Sequence, residues 1–120
     1  MTETPAFDPY AADCPSRQLV DRIADRWAVL VIGVLSEGPA RNGELAARVG
    51  GISPKMLSQT LRGLERDGLI TREAHNTVPP RVEYALTASG ASLQPVLMAV
   101  EQWARDHAGS VLRAQAAYDG

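Results

Sequence analysis

The sequence predicts a mainly α-helical chain with one small β-hairpin, and three observations carry that prediction. The 120 residues are 45% hydrophobic but only 5% aromatic. The core must therefore be aliphatic, built from Leu, Val, Ile and Ala, a composition that suits helices. Apolar residues recur at helical spacing over most of the chain, and the period drops to two across residues 69–86, as paired strands require. A chain of this length buries roughly two thirds of its unfolded surface, enough for one core without staples and too little for two large domains.

Residues 1–13 hold Pro5, Pro9 and three acids without periodicity, and read as a loose arm. Cys14-Pro15 opens the first helix, since proline at the first helical position loses no hydrogen bond. Val20, Ile23 and Trp27 give it an apolar stripe. Trp27 to Leu35 is apolar all round and predicts a buried second helix, stopped by Ser36-Glu37-Gly38-Pro39. Asn42-Gly43-Glu44 opens a short third helix with Leu45, Ala46 and Val49 inward. Gly50-Gly51 breaks the chain, and Ser53-Pro54 restarts it as N-cap and first helical residue. This fourth helix runs to Arg66 or Asp67, where Gly68 closes it.

Residues 69–74 and 81–86 alternate, with Val82, Tyr84 and Leu86 on one face and a stiff His75-Asn76-Thr77-Val78-Pro79-Pro80 loop between them. Thr87 caps a last helix striped by Leu93, Val96, Leu97, Val100 and Ala104, which Pro95 should kink. The main domain spans 14–107, and 108–120 reads as a tail or a further short helix, because Gly109 interrupts it.

Charge is informative by its distribution. The net charge is −2, yet residues 1–40 sum to −3, 41–81 to +3 and 82–120 to −2, counted from the same sequence. A basic middle between acidic ends points to one anion-facing surface. The fourth helix concentrates it. With Leu57 at zero, Leu61 and Leu64 fall within about 40° of it. Lys55, Ser58, Gln59, Arg62 and Arg66 fall between about 100° and 200°. A solvated surface helix usually alternates Glu with Lys for mutual pairing. Here the acids, Glu65 and Asp67, lie at the C-terminal end. Arg, Lys, Gln and Ser donate both to phosphates and to base edges in a major groove. A short helix, a glycine turn and a polar-faced helix followed by a hairpin form a winged helix-turn-helix pattern.

The same residues resemble a known family. Gly51-Ile-Ser-Pro-Lys-Met-Leu-Ser-Gln-Thr-Leu-Arg-Gly-Leu-Glu-Arg-Asp-Gly-Leu-Ile70 and Val78-Pro-Pro-Arg-Val-Glu-Tyr-Ala-Leu-Thr-Ala-Ser-Gly90 closely resemble the HxlR-type winged helix-turn-helix regulators. Cys14-Pro15, the Trp27 region and Arg41-Asn42-Gly43-Glu44-Leu45 do so too, although Asn42 stands where an aromatic is usual. The resemblance implies a bacterial transcription factor of MarR-like architecture that binds double-stranded DNA as a homodimer formed by its terminal helices. The helix from Ser53 would read the major groove and the hairpin would be the wing. The candidate DNA-contacting set is Arg41, Ser53, Lys55, Met56, Ser58, Gln59, Arg62, Arg66, Asn76, Thr77 and Arg81.

Cys14 is the sole cysteine, which excludes an intramolecular disulfide and fits a reducing compartment. At a helix N-terminus its thiolate is favoured, with Arg17 helping and Asp13 and Asp21 opposing. It reads either as an inert thiol or, as the resemblance implies, as a sensor of an oxidant or electrophile. Trp27, Val100 and Trp103 lie on apolar stripes, as core, dimer interface or the lining of a pocket for a small effector. His75 and His107 lack neighbours at metal-ligand spacing, so no metal or cofactor is expected. Glu3 and the absence of an apolar N-terminal stretch do not read as a signal peptide, and the longest apolar run is far short of the roughly 20 residues of a membrane span. The chain reads as cytoplasmic. Without a nucleophile elbow, phosphate loop or paired carboxylates, it does not read as an enzyme; the rival reading is a winged-helix protein-interaction module.

Overall fold

The computed structural model describes residues 7–120; the first six residues of the predicted arm lie outside the described residues. Five helices and one hairpin follow in the predicted order: α1 (Pro15–Ala24), α2 (Arg26–Leu35), α3 (Asn42–Arg48), α4 (Pro54–Arg66), β1 (Ile70–His75), β2 (Arg81–Leu86) and α5 (Ala88–Asp119). Three helix starts are fixed by side-chain caps. Asp25 accepts from the N–H groups of Trp27 and Ala28, Ser53 Oγ from Met56 N–H, and Thr87 Oγ1 from Gly90 N–H. Each satisfies donors that a helix start leaves unpaired. Gly68, at φ 74°, takes the left-handed conformation that ends α4 and turns the chain into β1.

The core is aliphatic as expected. Ala28, Val31, Ile32 and Leu35 of α2 meet Leu45 and Val49, the Leu57–Leu61–Leu64 stripe of α4, Leu69, Ile70 and Leu97. The hairpin is antiparallel, with Ile70 opposite Leu86 and His75 opposite Arg81. A contact invisible in the sequence ties it down. Ala40 exchanges two backbone hydrogen bonds with Tyr84, of 3.0 and 2.8 Å, so the segment before α3 lengthens the sheet by one bridge.

Four expectations need correction. Ala46 is exposed, because so short a helix turns only Leu45 and Val49 inward. α2 is not buried all round: Leu30 keeps 42% of its surface, facing a cleft beside α5. α1 buries no residue and leaves Leu19 and Val20 exposed; Ile23 and Trp27 pack against the core. The apolar stripe of α5 splits in two, with Leu93 and Leu97 on the core and Val96, Val100 and Ala104 in solvent.

The chain beyond residue 107 is neither a tail nor a separate helix, because α5 runs unbroken through Gly109 to Asp119. One helical glycine costs only about 1 kcal/mol, too little by itself to end a helix that continues into the strong helix formers Leu112-Arg113-Ala114-Gln115-Ala116-Ala117. The helix also continues through Pro95, on an exposed position, where the missing N–H removes one hydrogen bond. At about 1.5 Å per residue, α5 is roughly 48 Å long. Its second half projects from the body: every residue from 102 to 119 is exposed. The radius of gyration, 17.5 Å, accordingly exceeds the roughly 14 Å of a compact chain of this length.

The first turn of α5 sits directly on the α4–β1 junction. Thr87 Oγ1 donates to Gly68 O at 2.6 Å and Thr87 N to Leu69 O at 3.0 Å. Gly90 permits the approach, since a Cβ there would overlap the Leu69 carbonyl oxygen and stand 3.2 Å from Leu86 Cδ2. Gly90→Ala should therefore cost about 1–3 kcal/mol through overpacking. Gly109→Ala, in an exposed helix interior with only a 3.4 Å contact to the Arg113 side chain, should gain up to about 1 kcal/mol. Urea denaturation of the two variants reads the opposite signs; equal effects would contradict the packing described.

Candidate nucleic-acid interface

α4 has two unlike faces because its sequence separates them. Leu57, Leu61 and Leu64 are at most 2% exposed, and Thr60 and Gly63 are buried beside them. Lys55, Gln59, Arg62 and Arg66 are exposed on the other side, with Ser58 half-buried between them. Among the described residues, none of Lys55, Arg62 and Arg66 makes an ion pair; the five pairs present involve other cations. The outer face of α4 thus offers three cations, a hydroxyl and an amide to solvent.

The neighbouring acid at the end of α4 is neutralised. Arg22 of α1 reaches across to Asp67, with Nε 2.8 Å from Oδ2. Its guanidinium lies against Gly63, where a Cβ would collide with it. That glycine therefore serves α1–α4 packing, and the pair removes a bare negative charge from the end of the basic helix.

The remaining predicted contact residues differ in availability. Met56 is partly exposed at the N-terminal end of α4. Ser53 Oγ is engaged as the cap, 3.0 Å from Met56 N. Arg41 precedes α3 and pairs locally with Glu44 at 3.4 Å, while its N–H donates to the same carboxylate at 3.1 Å. Asn76 and Thr77 lie at the exposed hairpin tip, with Thr77 Oγ1 donating to Pro79 O at 2.7 Å. Arg81 is exposed at the base of the tip, opposite His75.

Arg72 belongs with this set although the sequence reading passed over it. It lines one concavity with Ser58, Arg62, Glu65 and Tyr84, and so joins the hairpin to the basic face of α4. The signal was available in the period of two, for a buried Ile70 places Arg72 on the α4 side of the strand. The other side of the hairpin is mixed, with Arg81 opposite His75 toward the tip and two acids nearer the base. Glu73 stands opposite Glu83, and His75 Nε2 lies 2.8 Å from Glu83 Oε1.

Cys14 lies at the N-cap of α1, as expected, and is half-buried. Its Sγ is 3.1 Å from Ser16 Oγ and accepts from Asp8 N–H at 3.2 Å. The Ser16 hydroxyl is the main influence holding the thiol below its ordinary range. Partial burial opposes it, and the backbone N–H groups of Ser16, Asp8 and Arg17 add to it. Arg17 was expected to help through its charge, but its guanidinium turns to Tyr10 O instead, at 3.5 Å.

Trp27 and the α5 pair separate in space. Trp27 packs on the core with Arg26 over its ring at 4.4 Å. Val100 and Trp103 line an open apolar depression with Val96 and Ala99; Trp27 is not part of it. Trp103 stacks on His107, ring centroids 4.3 Å apart. Among the described residues no group of His, Cys, Asp and Glu side chains has metal-binding geometry. No helix among them is long and apolar enough to cross a membrane.

A helix-turn-helix carrying an exposed basic helix, followed by a β wing, is the architecture of DNA-binding transcriptional regulators. Comparison with known proteins makes the assignment specific. The chain belongs to the HxlR-like helix-turn-helix family, whose model matches residues 22–111. It is 42% identical over 94 residues to YtfH of Escherichia coli K12, described as an uncharacterised HTH-type transcriptional regulator; the match covers 78% of this chain and 75% of that protein. The solved structure of a candidate transcriptional regulator, ytfH from Salmonella typhimurium, matches with a TM-score of 0.86 and 35% identity, covering 92% of this chain and 98% of that one. The redox regulator HypR in its oxidized form matches with a TM-score of 0.72 and 33% identity, covering 78% and 96% respectively.

The thiol environment has a direct readout. Because the Cys14 pKa is lowered, the thiolate forms as pH rises through a window below that of an unperturbed thiol. The rate of iodoacetamide alkylation should rise across that lower window. In Ser16→Ala, which removes the largest cause, the rise should move to higher pH. An unchanged profile in the variant would rule out the Ser16 hydrogen bond as the cause.

Proposed function

We propose that this chain is a sequence-specific regulator that binds a pseudo-palindromic operator as a homodimer. The observation that carries the reading is the outer face of α4, solvent-facing, cationic and without ion pairs. Lys55, Ser58, Gln59 and Arg62 contact base edges and phosphates in the major groove, while Arg66, Arg72 and Arg81 hold the phosphates on either side. The hairpin tip, with Asn76 and Thr77, reaches the flanking groove. In a dimer the two α4 helices enter successive major grooves about 34 Å apart. Such a regulator works beside the chromosome, in the cytoplasm.

The projecting half of α5 supports the dimer. That half gains nothing from packing on the body, yet it leaves Trp103, Val111 and Tyr118 exposed in line with Val96 and Val100 of the first half. These side chains fall within about 80° of one another around the helix axis, forming a ridge. A second copy of the same ridge, with Leu19 of α1 at its margin beside Val96, covers it.

Cys14 is the proposed control point, supported by its lowered pKa and by the likeness to a redox regulator. With one cysteine per chain, the disulfide joins Cys14 of each subunit, or Cys14 and a small thiol. Two thiols lose two protons and two electrons to an oxidant such as diamide as the S–S bond forms. Because Cys14 caps α1, that bond shifts α1 and hence the Arg22–Asp67 tie to α4.

Arg62→Ala and Arg113→Ala test the placement of the site. Both remove an exposed cation, so both change net charge equally. Arg62→Ala should weaken operator binding at least tenfold, in line with about 1–3 kcal/mol for a base-reading pair, while Arg113→Ala should stay within twofold by fluorescence anisotropy. Equal losses would move the site away from α4.

A further inference from the structure

We infer that the cleft between α2 and α5 is a binding site for a small hydrophobic cation, held by Glu101. The cleft measures about 460 Å³, within the range of small-molecule sites. Leu30, Val34, Leu97 and Met98 give it apolar walls. It opens on another side of α5 from the Val96–Val100–Trp103 ridge: Gln94, Met98 and Glu101 lie about 100° or more from that ridge around the axis, so a partner on the ridge and a ligand in the cleft use different faces.

Glu101 is the chemical feature of this cleft. It projects from α5 onto α2 where Gly33 leaves a notch; a Cβ at residue 33 would stand 3.3 Å from Glu101 Oε1. An interior helical residue such as Gly33 has its N–H committed to its own helix, so α2 offers this carboxylate no donor. The charged lining also holds Glu37 and two arginines, and both arginines already have carboxylate partners. Arg48 is paired with Glu37 at 2.8 Å on the rim. Arg105 reaches Glu101 Oε2 only at 3.4 Å and is 64% exposed, against 26% for Glu101. The solvent-exposed arginine charge is screened by water, whereas the carboxylate rests on apolar walls and is screened less. An organic ammonium with an aromatic or alkyl body matches both parts of the surface: the cation takes Oε1 and the body takes the leucines, Val34 and Met98. An anion of the same shape finds both arginines already paired and the Glu101 carboxylate against the apolar walls, and is the weaker ligand.

The site needs no DNA, and its test is independent of the operator reading. Isothermal titration of the full chain without DNA uses trimethyl(4-phenylbutyl)ammonium as the probe and 4-phenylbutyrate as the control of opposite charge. The cation should bind with a submillimolar Kd and the anion at least tenfold more weakly. Glu101→Gln should weaken cation binding at least tenfold, and Arg105→Ala, which removes the competing cation, should tighten it. Opposite effects of two substitutions one helical turn apart exclude simple misfolding as the cause. Equal binding of the two ions, no binding of the cation, or a Kd unmoved by Glu101→Gln would overturn the assignment.

Discussion

Everything on the outer face of α4 depends on the Leu57–Leu61–Leu64 stripe on its inner face. Each leucine is essentially removed from water, worth about 1.5–3 kcal/mol of burial. The stripe packs against α2 and the base of the hairpin, so the rotation of α4 about its own axis is fixed by the core. The cations then have no choice of direction: residues half a turn away must face solvent. The Ser53 cap and Gly68 fix where the helix starts and stops, and the Arg22–Asp67 pair fastens its far end to α1. A basic surface of this kind is thus a consequence of aliphatic packing and needs no net positive charge on the chain.

The hairpin is held to the same frame by two attachments. Ala40 bridges to Tyr84 on one strand, and Thr87 with Gly90 seats the start of α5 on the backbone after α4. Arg72 consequently lies beside Arg62 rather than being free to swing with the hairpin. The same junction launches α5, so the dimer-forming ridge proposed on α5 and the basic face of α4 are connected through only a few well-packed residues.

Much of this was legible in the residues because local signals agree with tertiary demands. Proline after Cys14 and Ser53, glycine after Asp67, and threonine before α5 each mark a boundary by chemistry that does not depend on distant partners. The aliphatic stripe of α4 and its opposed cations follow from spacing alone. What was not legible involves partners far apart in sequence. Nothing in the spacing shows that Ala40 pairs with Tyr84, or that Glu101 of α5 lies against Gly33 of α2. The unbroken run of α5 was obscured by Gly109, since a glycine signals a break only when no stronger helix tendency surrounds it. Ala46 and Leu30 were placed inward because periodicity tells which residues share a face, not how much of that face the rest of the fold covers.

If the α4 face binds phosphates and reads bases, affinity must depend on both salt and sequence. The most direct measurement is fluorescence anisotropy of the reduced protein on duplex DNA from upstream of its own gene, against random duplex of equal length, across a salt series. The account predicts tighter binding to the upstream duplex, with log K falling linearly and steeply as log salt rises, because phosphate contacts release counterions. No binding to either duplex at low salt would contradict it and leave the same surface as a site for protein contact.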